Sequence, residues 1–298
     1  MSVILRRAII AELTTRFLEV KDDFLEGIKD YSHLVADNDT INFETIGALP
    51  TVLFNTVVNA SNPIGSAPRT DDSAVVSLDK LDTTNTEVSD DELIALPYDK
   101  KSSVMADHVT ALRLAKIKKA LFNMGPASDT TSTPVFKTTG ANDGTGRLRL
   151  TLADIIAWRL RLTNLGIDIS TCSLILCPEH CSDIQLFDQS FRDRFSNTES
   201  GKIIGMLQGF KTFENMNNPK YNNSTFDKKA FGASAAGTDT PSSVFYSTQN
   251  AMKALGSVDV YISDAHINPL TRTSLFGARL RNIYSPVTTI GTGAIITG

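Results

Sequence analysis

The segment from Ser102 to Met124 constrains this chain most. It contains no Pro or Gly, Ser102 or Ser103 can cap its start, and Gly125-Pro126 stops it. It therefore reads as one long helix. Its apolar residues do not keep to one stripe. Val104, Met105, Val109, Leu112 and Phe122 share one broad side, while Leu114, Ile117, Leu121 and Met124 take much of the other. A helix that is apolar on more than one side has to be buried between layers, or between its own domain and a neighbour.

The stretch before this helix has the opposite problem. Ala74 to Leu78 and Leu93 to Tyr98 read as strands, and the run between them, 79–91, is polar and acidic. A two-stranded ribbon with so little to bury is marginal alone. It makes sense laid on a neighbouring subunit; an ordinary surface hairpin is the plainer alternative. Further upstream, Leu5, Ile9, Leu13, Phe17, Val20, Phe24 and Ile28 recur at spacings of four and three, which predicts an amphipathic helix over 2–30. It packs either on its own domain or on a partner. Residues 40–58 read as extended chain and 59–73 as a loop of Ser, Asn, Pro, Gly and Asp.

Downstream, 126–150 is a polar loop. A helix over 151–165 opens at Thr151 and closes near Gly166, with Leu152, Ile155, Ile156 and Leu160 marking its inner side and Trp158, Leu162 and Leu165 widening it. Cys172 to Cys177 is a short buried strand, and Pro178 starts a helix to about Phe191. Residues 201–215 are strand-like with a turn near Gly209, 244–246 form a strand, and 249–255 a short helical segment. Val258 to Ile262 and Leu275 to Tyr284 are strands, the latter with Arg279 and Arg281 on one face. The tail after Pro286 is Thr, Ile and Gly. No fixed-period repeat occurs.

Composition narrows the function. At 41% hydrophobic and 21% charged residues over 298, the chain can build a core. Lys plus Arg number 29 against 33 Asp plus Glu, so nothing in the total charge advertises a nucleic-acid binder. Four His, three Cys and one Trp are a thin supply for catalysis. There is no P-loop, dinucleotide-binding glycine motif, H-E-x-x-H or G-x-S-x-G. No apolar run approaches a membrane span, and the start is too interrupted by Glu12 and Arg16 for a signal peptide. A cytosolic, reducing site of synthesis is expected. The strongest enzyme-like cluster is Cys172, Cys177, His180 and Cys181. Its C-x4-C-x3-C spacing is not that of paired zinc knuckles, so the cysteines read better as small core residues and His180 as solvated at a helix start. A Cys/His metalloenzyme is retained as a lesser alternative.

The order of elements is informative: an N-terminal helix, an extended arm, a polar hairpin, a long helix, an α/β segment and a return strand. This resembles the HK97-fold major capsid proteins of tailed double-stranded DNA phages. The resemblance is carried by Val75 to Tyr98 running through Lys100-Lys101 into the helix from Ser103. It is also carried by Ser173-Leu174-Ile175-Leu176-Cys177-Pro178-Glu179-His180, by Gly201 to Asn215, and by Arg272 to Ser285. It implies an α+β fold with residues 1–60 as N-terminal helix and arm, 61–100 as an extended loop, and 101–150 as a peripheral subdomain with the spine helix. Residues 151–262 become an axial subdomain, and 263–298 the return strand and tail.

What the resemblance implies for function is self-assembly into hexamers and pentamers of an icosahedral shell around packaged DNA. No cofactor, metal or catalytic residue is implied. The virion is the expected location, with assembly in the host cytoplasm. Scaffold, portal or decoration proteins would be further partners; no membrane is involved. Leu78, Lys80, Leu81, Val88, Leu93, Arg279 and Arg281 become candidate inter-subunit contacts. Some family members crosslink a loop Lys to an Asn of a neighbour, which would make Lys80 and Asn282 the pair here. Arg6 and Arg7 would face scaffold or DNA, or pair with nearby acids. An encapsulin-like nanocompartment, which shares the fold, is the runner-up.

Overall fold

The computed structural model describes residues 23–35, 39–45, 52, 54–55, 58, 63–66, 68–69, 72–89, 100–187, 205–264, 271–288 and 290–298. In chain order the strands and helices begin with β1 (Lys29–Asp30), β2 (Thr40–Thr45), β3 (Asp72–Ser77), β4 (Asp79–Asp82), β5 (Thr86–Ser89) and the long helix α1 (Lys100–Met124). There follow β6 (Val135–Lys137), α2 (Leu152–Asn164), β7 (Cys172–Leu176), α3 (Pro178–Phe187), β8 (Gly205–Leu207), β9 (Phe210–Glu214) and β10 (Lys220–Asn222). The chain closes with β11 (Asp239–Ser247), β12 (Ala251–Ser263), β13 (Thr273–Pro286) and β14 (Thr292–Ile296).

Two sheets organise these elements. The first is built on the long β12–β13 hairpin, paired antiparallel from Ala251↔Pro286 to Ser263↔Leu275. β4 and β5 both add to the free side of β13, and β1 adds parallel to β12. Along β13, Ser274, Phe276, Ala278, Leu280 and Asn282 point inward and are buried, while Arg279 and Arg281 sit on the other face. The second sheet runs β6-β14-β11-β7-β9-β8, with β10 also on β11. Its β8–β9 hairpin turns through Gln208 (φ 50) and Gly209 (φ 96). Two successive left-handed residues suit the right-handed twist of a tight hairpin.

Strand alternation gives the second sheet two apolar faces. Leu174 and Leu176 join a cluster with Ile155, Trp158 and Leu162 of α2, Ile184 of α3, and Phe210, Phe245 and Ile295. Ile175, between them, joins the opposite cluster with Ile117, Leu121 and Met124 of α1 and Phe24, Leu25 and Ile28. Trp158 lies 4.9 Å from the Phe245 ring centroid and 5.6 Å from that of Phe210. α2 starts on a capping box, in which the Thr151 side chain accepts from the Asp154 amide and Asp154 accepts from the Thr151 amide.

α1 ties the two sheets together. Its first half packs on the first sheet, with Val104 against Val88 and Phe276 and with Val109 and Leu112 against Val260, Ala278 and Leu280. Its second half packs on the second sheet. Two covered sides are what its apolar pattern demands. The helix opens at Lys100, so Ser102 and Ser103 lie inside the first turn and do not cap it.

Several expectations are corrected. Residues 23–30 form a 3-10 turn and β1, not the end of a helix; Phe24 and Ile28 are buried, and the Tyr246 hydroxyl donates to the Phe24 carbonyl. The remainder of the expected N-terminal helix lies outside the described residues. The run 79–89, expected as the polar span between two ribbon strands, instead holds β4 and β5, which pair antiparallel with β13. Residues 249–255 are not helical but largely the start of β12, where pairing with β13 overrides local propensity. The tail, for which the sequence predicts no element, forms β14, all of it buried between β11 and β6. In α2, Ile156 and Leu160 are outside and Trp158 and Leu162 inside, a phase error of one helical position. β6 and β14 lie in the sheet of β7 and β11, whereas β12 pairs with β13.

Candidate assembly surfaces

The segment that leaves its own core is β2–β3. Among the described residues these strands pair only with each other, in register from Thr40↔Ser77 to Thr45↔Asp72. At the root, Ile41 is fully buried with Val76, Leu78, Ala254 and Ile283, which anchors the hairpin on β12–β13. Away from the root, Val75 is 63% exposed. In the connection between the two strands Val52, Phe54, Val58 and Ile64 are 69%, 84%, 54% and 61% exposed. Large apolar side chains concentrated on one connection mark an interaction surface rather than scattered surface residues. They were passed over in the sequence because polar neighbours made the region read as extended chain and loop. Four bulky apolar residues in a loop of Ser, Asn, Pro and Gly were the available signal.

Of the residues expected as inter-subunit contacts, Leu78, Leu81 and Val88 pack within the chain. Val88 is fully buried against Val104 and Phe276, Leu81 packs on Leu112 and Leu280, and Leu78 packs beside Ile41. All three serve the chain's own core, which corrects the view that this run has little to bury. Leu93 lies outside the described residues. Lys80 pairs with Asp82 at 3.3 Å, and Arg279 Nε donates to Asp82 Oδ1 at 2.5 Å with its guanidinium 5.3 Å from the Tyr261 ring centroid. Arg279 also holds the Asp82 carboxyl below the usual carboxylate range through that hydrogen bond. Arg281 reaches Asp39 at 3.0 Å and Asp259 at 3.8 Å. These four thus knit β4, β12, β13 and the foot of β2 into one charged outer face. Asn282 is 3% exposed on the inner face, so it is not offered to a neighbour's Lys80.

The cysteine cluster is structural. Cys172, Cys177 and Cys181 are free and buried, and burial pushes each thiol up to about 12. His180 is not solvated but completely buried, with Nδ1 2.7 Å from Ser243 Oγ. Burial lowers its pKa to about 4. No group of three or more His, Cys, Asp or Glu among the described residues is arranged to hold a metal ion, so the metalloenzyme alternative has no donor set. Next to it stands a buried ion pair. Arg147 forks onto both Asp183 oxygens at 2.7 Å, and Asp183 also accepts from the Leu150 amide at 2.9 Å. This pins the 139–150 loop to α3. Among the described residues no helix is long and apolar enough to cross a membrane.

No protein-family model and no curated protein matches this sequence. Solved structures do. The capsid structure of the cyanophage P-SCSP1u superposes with a TM-score of 0.65 at 14% identity, over 92% of this chain and 87% of that one. The capsid of Ralstonia phage GP4 gives 0.64 at 10% identity over 92% and 87%. The structure of Mycobacterium phage Che8 gives 0.61 at 14% identity over 91% and 90%. The chain has the phage-capsid fold. At such identities the likeness lies in the fold and not in the sequence.

Proposed function

We propose that this chain is the structural subunit of an icosahedral phage shell, self-assembling into hexamers and pentamers around double-stranded DNA. The carrying observation is the likeness of architecture over about nine-tenths of both chains to two phage capsids. The exposed apolar β2–β3 connection supports it, because among the described residues nothing covers Phe54 or Ile64. Each contact in a closed lattice can be weak; a subunit held by many neighbours gains from effective concentration. The reading is a non-enzymatic one, located in the virion. A cargo-enclosing nanocompartment would share the fold, but the similar structures include several phage capsids and a GTA particle. Size measurement of the purified protein tests the reading. Wild type should form particles, and Phe54→Ser with Ile64→Ser should leave soluble folded subunits. Particles of unchanged yield from the double variant would overturn the role of this connection.

A further inference from the structure

Charge is distributed unevenly in this acidic chain. α1 carries six of the 29 basic residues but one of the 33 acids, Asp107. At its C-terminal end lies a cavity of about 180 Å³ between the helix and the 217–235 loop. Lys118, Lys220 and Lys229 line it, together with Phe122 and Phe231, and no carboxylate does. Asp239 is engaged by Lys229 at 3.0 Å and by the Ala236 amide at 2.7 Å, and its charge also acts on Lys220. Neither Lys118 nor Lys220 forms an ion pair within 4 Å among the described residues. Lys228, in the same corner, donates to the Phe122 and Gly125 carbonyls and is committed to closing the helix. Lys119 lies 4.9 Å from the Phe231 ring centroid but is paired with Asp79 at 3.4 Å, so the free charge of this corner is that of Lys118 and Lys220.

We propose that this lysine pocket binds the phosphate backbone of double-stranded DNA. Lysines are point charges without the bidentate geometry that reads bases, so contact would be independent of sequence. Two lysines with no ion pair within 4 Å among the described residues, beside a half-exposed Phe231, present positive charge to a polyanion. The acidic remainder of the chain keeps that attraction local, as a container that must release its DNA requires. The proposal assigns a face to the DNA in the shell reading above and rests on that reading for its biological meaning.

The test measures binding of the full-length soluble subunit to a short random-sequence duplex by fluorescence anisotropy across a salt series. Each phosphate contact adds about 0.9 to the slope of log affinity against log salt. The Lys118→Gln/Lys220→Gln variant should lower that slope by about 2, so it loses about tenfold less affinity than wild type between about 50 and 200 mM salt. Lys211→Gln, on exposed β9 outside the cavity, should behave as wild type. Equal slopes for wild type and double variant, the same loss in Lys211→Gln, or no binding by wild type at low salt would overturn the proposal. Binding of an acidic peptide at these lysines without DNA binding would overturn it in favour of a protein partner. Particle formation is scored separately: shells from the double variant with weakened DNA binding support both readings, and absence of shells from wild type would sink only the first.

Discussion

Leu112 and Leu121 stand nine residues apart on one helix, about half a turn out of phase, and both are buried to within 1% exposure. Leu112 belongs to the cluster under β12–β13 and Leu121 to the cluster under β7 and β11. One helix therefore supplies the core of two sheets. Leu112→Ala and Leu121→Ala should each lower unfolding stability by about 2–5 kcal/mol, and their effects should add to within about 0.5 kcal/mol because the clusters share no side chain. Urea denaturation of the singles and the double checks this.

Removing Asp183 should be among the most damaging polar changes. Its carboxylate is buried and holds both Arg147 and the Leu150 amide. Asp183→Ala leaves a guanidinium with only Asp143, at 2.9 Å, and should cost about 3 kcal/mol. Arg147→Met leaves the buried carboxylate unpaired and should cost at least as much. Denaturation curves of both variants that overlay wild type would refute the pinning of this loop.

Acid should weaken the subunit through His180. Burial lowers its folded pKa to about 4, with the Asp183 charge opposing and the Arg147 charge adding. The unfolded chain binds this proton near pH 6.5, so stability is full above that value and falls as pH drops toward 4. The loss is about 3 kcal/mol at the low end. His180→Asn should flatten the stability profile between those limits; an unchanged slope would exclude His180 as its source.

The three cysteines should be silent. With each thiol buried and its pKa raised to about 12, native protein should not react with a disulfide reagent while unfolded protein releases three equivalents. Rapid reaction of any one in native protein would contradict its burial.

What was legible in the sequence follows a physical line. α1, α2, β7 and the Gly209 turn were readable because local signals and tertiary demand agree: a capping box, an unbroken apolar run, a left-handed turn. The two-sided pattern of α1 even announced two layers. The start of β12 and the tail strand β14 were not, because their pairing partners lie tens of residues away and override local preference. His180 was misplaced for a similar reason: its position after Pro178 suggests a solvated helix start, and only packing against Ser243 on β11 buries it. Contacts were sought where polarity was unusual, at 79–91, where β4 and β5 pair with β13. A further clue was the apolar residues of the β2–β3 connection, which nothing among the described residues covers.

The shell reading is tested most directly by electron microscopy of the purified protein, expressed with its natural scaffold partner if one is required. The account predicts closed icosahedral particles in which β2–β3 of one subunit lies across a neighbour, burying Phe54 and Ile64. A monodisperse monomer under all conditions, or shells in which that connection remains uncovered, would contradict it.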